Sequence, residues 1–72
     1  MNKDIMNEKK IFRKIKEERM KKGITVRELA EKTKISPANI SNIENGKQNP
    51  GIKILIKIVK ALKLNIEIKK LE

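Results

Sequence analysis

Between Ile35 and Lys47 the chain reads Ile-Ser-Pro-Ala-Asn-Ile-Ser-Asn-Ile-Glu-Asn-Gly-Lys, and five of these thirteen side chains are short, polar and uncharged. Their chemistry is recognition rather than bond making. Ser36, Asn39, Ser41, Asn42 and Asn45 can each donate and accept hydrogen bonds. The Asn42 amide suits an adenine edge, the Ser41 hydroxyl suits several bases, and the Ala38 methyl can touch a thymine methyl. No arginine lies in this stretch, so strong bidentate guanine readout is not expected and each half-site should lean towards A/T. The segment therefore reads as a helix that enters the major groove of duplex DNA.

The local signals for that helix are complete. Ser36 is an N-cap whose hydroxyl accepts from amides of the first turn. Pro37 follows at a position that needs no amide donor and favours its fixed φ. Ile35 and Ile40 form a hydrophobic staple, and Asn45-Gly46 ends the helix because glycine reaches the left-handed region without strain. The helix spans about 36–45 and buries only Ile40 and Ile43, leaving Ala38, Ser41 and Asn42 outward.

Other elements must hold so short a helix in place. Residues 1–8 carry neither cap nor periodicity and are expected to form a flexible N-terminal tail. From Glu8 or Lys9 to Lys22 the pattern is helical, with Ile11, Phe12, Ile15 and Arg19 on one face and Gly23 as terminator. A cation in line with an apolar stripe is costly unless paired, so Arg19 should have a carboxylate partner; the alternative is an arginine that snorkels to water. Thr25-Val26-Arg27-Glu28 is a capping box, stapled by Ile24 and Leu29, for a second helix that runs to about Lys32. Thr33-Lys34-Ile35 then joins two capped helices tightly enough to predict a helix-turn-helix.

Past a polar loop at residues 47–51, Ile52 to Leu62 reads as a last helix with Ile52, Leu55, Ile58, Val59 and Leu62 as its core stripe. Ile54 and Ile56 widen that stripe beyond one intramolecular contact, which suggests a second buried surface. Leu64-Asn65-Ile66-Glu67-Ile68-Lys69 alternates with period two and reads as a strand. With no second strand to pair, it should meet its own copy across a dimer axis. The alternative is that Leu64 to Ile68 extends or terminates the last helix and packs on its own core. The dimer interface would then draw on Ile54, Ile56, Leu64, Ile66 and Ile68. The expected fold is mainly α: a compact bundle of four to five short helices around the helix-turn-helix, residues 9–63, with residues 64–72 as a C-terminal strand for dimerisation.

Bulk properties narrow the function. The 72 residues can enclose one small core, and the formal charge of +10 favours a polyanionic partner, nucleic acid before an anionic membrane. The blander account is that sixteen lysines keep an isoleucine-rich chain soluble. Cysteine and histidine are both absent, which excludes disulfides, Cys/His zinc sites and His-based catalysis and suits a reducing cytoplasm. No apolar run suffices for a membrane span or signal peptide. Glu17/Lys21, Glu18/Lys22 and Glu28/Lys32 are ordinary i,i+4 pairs, and no glycine-rich phosphate loop exists. Neither an enzyme, a metal site nor a cofactor is expected. The single aromatic, Phe12, lies on a core face, so no stacking platform for unpaired RNA bases is available.

The run from Ile15 through Arg19, Gly23, Thr25, Glu28 and Ala30, followed by Ile35-Ser-Pro-Ala-Asn-Ile40, Ile43-Glu-Asn-Gly46 and Asn49-Pro50, resembles the Cro/C1-type (XRE-family) helix-turn-helix domain with its lambda repressor-like fold. The resemblance covers about residues 9 to 63. It implies a salt bridge between Arg19 and Glu44, and a phosphate contact at the helix start marked by Thr25; Arg27 beside it is also expected to bind DNA. It also implies groove-facing roles for Ser36, Pro37, Ala38, Ser41 and Asn42, with Asn39 on the flank, and backbone contacts from Asn45 and Lys47. Three positions depart from the pattern: Val26 stands where glutamine often touches DNA, and Lys34 and Lys63 replace frequent glycines. The Lys63 change and the tail are similar to the HipB-like antitoxin branch, whose members repress their own operon and bind a toxin kinase. The expected function is a cytoplasmic homodimeric repressor that binds an inverted repeat in double-stranded DNA. The competing class is a protein-interaction module, antitoxin or adaptor, whose main partner is another protein.

Overall fold

The computed structural model describes residues 8–65 and places four helices there: α1 (Glu8–Lys21), α2 (Val26–Thr33), α3 (Pro37–Glu44) and α4 (Ile52–Ala61). Helix α2 packs against both α3 and α4, while α1 packs against α3. Leu29, Ile40, Ile43, Ile58 and Leu62 are fully buried where these helices meet, joined by Phe12, Ile15, Ala30 and Ile35. Each such aliphatic side chain contributes about 1.5–3 kcal/mol by leaving water, and that is the main cohesive force in a domain this small.

The helix starts follow the cap chemistry. Thr25 Oγ1 accepts from the Glu28 amide at 3.0 Å, and the Glu28 carboxylate accepts from the Thr25 amide at 2.8 Å. Ser36 Oγ accepts from the Asn39 amide at 3.1 Å, with Pro37 in the first turn. Helix α4 differs, because Gly51 precedes it and offers no side-chain cap.

All four helices end through a residue in the left-handed region: Gly23 (φ 71), Lys34 (φ 62), Gly46 (φ 75) and Lys63 (φ 58). After α1, α3 and α4 a six-residue backbone bond closes the turn: Ile24 amide to Arg19 carbonyl, Lys47 to Asn42, and Leu64 to Val59. Glycine makes such turns freely, whereas a lysine there carries a strain of about 1 kcal/mol. In the helix-turn-helix turn, Lys34 accepts that strain because Ile35 is drawn back onto the core and its amide donates to the Ala30 carbonyl at 3.2 Å.

Three expectations are corrected. Ile11, assigned to the apolar face of α1, is exposed. On α4 the pattern puts Ile52 in the core and Ile54 on a second surface; instead Ile52 is 63% exposed while Ile54 is half-buried against the core. Ile56 does face outward, at 39% exposure. Lys53, Lys57 and Lys60, at i, i+4 and i+7, take the outer side of α4, and the opposite side with Ile54, Ile58 and Leu62 turns inward against the core and α2. The third correction concerns the strand. Leu64 and Asn65 are not in a strand: the amide of Leu64 closes the end of α4 and its side chain packs on the chain's own core. Leu64 and Ile54 are therefore partly spent on the fold rather than free for a dimer. Ile66 and Ile68 lie outside the described residues, as does most of the tail expected at residues 1–8.

Candidate nucleic-acid interface

Helix α3 has two unlike sides. Ile40 and Ile43 are buried together with Glu44. Ser36, Pro37, Ala38, Asn39 and Asn45 are exposed, and Ser41 and Asn42 are half-exposed. At about 3.6 residues per turn, Ala38, Asn42 and Asn45 lie opposite the core side, with Ser41 and Asn39 on either flank. The outer surface of α3 is thus polar, uncharged and free of bulky groups, and it can approach another surface closely.

The helix is held from behind by a buried ion pair. Arg19 Nε donates to Glu44 Oε2 at 2.8 Å, and Arg19 Nη2 donates to Oε1 at 3.1 Å. The remaining nitrogen, Nη1, donates to the Ile24 carbonyl at 2.7 Å, in the turn that ends α1. One guanidinium therefore links the end of α1 to the end of α3, across 25 residues of sequence. Both side chains are over nine-tenths shielded from solvent, and a pair so placed must be kept whole. Removing one partner leaves the other charge buried, at a cost of about 3–5 kcal/mol. The carboxylate that Arg19 required is thus on α3 itself, so this bond also fixes that helix's position.

The start of α2 combines donors with one opposing charge. Thr25 and Arg27 are exposed beside each other. The capping box uses the amides of Thr25 and Glu28, leaving those of Val26 and Arg27 as first-turn donors without an intrahelical acceptor. A helix N-terminus attracts anions, and Arg27 adds a full positive charge, while Glu28 opposes it. Val26 packs partly against the core instead of pointing to a ligand. Lys47 is exposed just beyond α3. On α1, Glu18 gathers Lys14 and Lys21 at 3.4 and 3.5 Å. Burial works against its ionisation, but the hydrogen bond from Lys14 and the charge of Lys21 outweigh that and hold its carboxyl below the usual value of 4.5.

The structure brings Ser36, Pro37, Ala38, Asn39, Ser41, Asn42 and Asn45 onto one short helix whose outer side is open. It places Arg13 and Lys16 of α1 beside the end of that helix, around a cleft shared with Asn45 and Gly46. Sequence reasoning did not include those two cations, because nothing local distinguishes them from the other basic residues of α1. Among the described residues, no cluster of acidic side chains could hold a metal ion, and no helix is long and apolar enough to cross a membrane.

Two short capped helices joined by a tight turn, the second open to solvent and braced from behind, define a helix-turn-helix domain of the DNA-binding class. The model of the helix-turn-helix family matches residues 15–69, and the chain belongs to that family, the Cro/C1-type or XRE-family DNA-binding transcription regulators. Its macromolecular ligand is double-stranded DNA. No curated protein matches the chain.

Proposed function

We propose that the protein is a sequence-specific repressor that binds an inverted repeat in double-stranded DNA as a homodimer, with α3 in the major groove. The observation that carries this reading is the contrast across α3: an uncharged hydrogen-bonding side outward, and a buried ion pair inward that fixes its pose. Ala38, Ser41 and Asn42 read base edges, while Ser36, Pro37 and Asn39 meet the groove wall. Thr25, Arg27, Asn45 and Lys47 contact phosphates and set the register. Two copies would present their recognition helices about 34 Å apart, one turn of the duplex. Selection from a random oligonucleotide pool tests the reading. A palindromic, A/T-leaning site is the expected result; recovery of unrelated sequences with no shared half-site would count against it.

A second reading has its own support. Ile52 and Ile56 are exposed one turn apart on α4, a pair that a second copy or a partner protein can cover. As an antitoxin of the branch it resembles, the protein would repress its own operon and bind a toxin kinase. Pull-down from a host extract with and without nuclease separates these roles, since a protein partner survives DNA removal and a DNA-bridged one does not.

A further inference from the structure

An open cleft of about 260 Å³ lies between α1 and the end of α3, lined by Arg13, Lys16, Glu44, Asn45 and Gly46. Arg13 is exposed and Lys16 half-exposed. Among the described residues, neither cation forms an ion pair, whereas Lys14 and Lys21 on the same helix both reach Glu18. The Glu44 carboxylate also borders the cleft, but both its oxygens accept from Arg19. That pair is close to neutral, so the cleft keeps two unbalanced positive charges.

The end of α3 could itself attract cations, since a helix C-terminus carries roughly half a negative charge. Here its last carbonyls already accept from the amides of Gly46 and Lys47. Half a screened charge does not balance two full ones. The cleft is also smaller than the roughly 300–1,000 Å³ typical of organic-ligand pockets, and it has no aromatic or aliphatic side chain in its lining. What fits is a compact oxyanion held by a guanidinium fork, an ammonium and an amide.

We propose that Arg13, Lys16 and the Asn45 side chain hold a single backbone phosphate at the edge of the groove that α3 enters. The inference rests on the DNA reading above and extends it to α1, which the sequence resemblance leaves without a DNA contact. Asn45 shares the outer side of α3 with Ala38 and Asn42, so the cleft opens beside the face that meets the bases. Helix α1 then acts at both ends of one contact. Arg19 positions α3, and Arg13 with Lys16 fastens the same corner of the domain to the duplex.

The test compares the wild-type chain with the double variant Arg13→Gln/Lys16→Gln on a selected duplex, first across salt concentrations. Both substituted side chains reach solvent, and matched thermal melts establish that the variant is folded. Loss of one phosphate contact should make the slope of log affinity against log salt shallower by about 0.9. Next, neutral methylphosphonate linkages are scanned along the site. One linkage per half-site should weaken the wild type clearly more than the variant, in which only Asn45 still reaches that phosphate. An unchanged salt slope, or methylphosphonate losses equal in both proteins at every linkage, overturns the inference while leaving the DNA reading intact. A wild-type chain whose affinity for every duplex is independent of salt would instead remove the DNA reading, and this one with it.

Discussion

Helices α3 and α4 are similar in length, eight and ten residues, but are held by opposite means. Directional bonds fix α3, the serine cap and the Arg19–Glu44 pair, helped by the fixed φ of Pro37 and two buried isoleucines. Helix α4 has no side-chain cap and is held by burial of Ile58, Val59 and the adjoining Leu62, with Ile54 and Leu55 partly inside. Hydrophobic burial is non-directional, so it tolerates small shifts of an element. In the role proposed for α3 such shifts are not tolerated, because base readout depends on fixed donor and acceptor positions. The difference between the two helices fits the proposed division of work: α4 supplies cohesion, and α3 keeps a fixed pose with a free outer side.

The sharpest way to break the contrast is Glu44→Ala. It should destabilise the domain by about 3–5 kcal/mol, measured by urea denaturation, because the Arg19 charge is left buried. A loss under 1 kcal/mol would mean that the pair does not hold α3. Leu62→Ala, which removes a fully buried side chain just past α4, should cost about 2–5 kcal/mol through transfer and cavity terms. At this site the loss should shrink if neighbouring side chains relax into the space. Asn42→Ala should leave stability nearly unchanged and weaken specific binding by about 1–3 kcal/mol, with little effect on random duplex. Equal losses on both would take Asn42 out of the reading set. Ser36→Ala should lower stability by about 1 kcal/mol, whereas no comparable cap exists to remove from α4. Smallest of all, Lys34→Gly or Lys63→Gly should raise stability by roughly 0.5 kcal/mol in thermal melts, since release of left-handed strain is offset by the greater freedom of glycine in the unfolded chain.

The comparison also explains which features were legible in the sequence. The caps at Thr25 and Ser36 depend on residues three positions apart, and their signals are local. Arg19 could be marked as needing a carboxylate because a charge within an apolar stripe is anomalous on its own helix. The pose of α4 was less accessible. Lys53, Lys57 and Lys60 recur at i, i+4 and i+7 and mark an outer side that Ile56 and Ile52 border, but so many isoleucines beside them let the apolar stripe be drawn too wide, with Ile52 inside it. Period-two alternation from Leu64 suggested a strand, but the left-handed turn at Lys63 returns Leu64 to the core. Lysine itself gives no sign of such a turn, and only the resemblance, in which glycine is frequent at this position, points to one. Arg13 and Lys16 escaped notice for a related reason: their significance lies in nearness to Asn45, about thirty residues away in sequence.

The central claim is that the outer side of α3 meets the bases. A heteronuclear NMR titration of the labelled protein with its selected duplex tests it most directly. The account predicts the largest amide shifts at Ala38, Ser41, Asn42 and Asn45, smaller ones at Thr25 and Arg27, and little change along α4. Shifts concentrated at Ile52, Ile56 and the lysines of α4, with α3 unmoved, would contradict it.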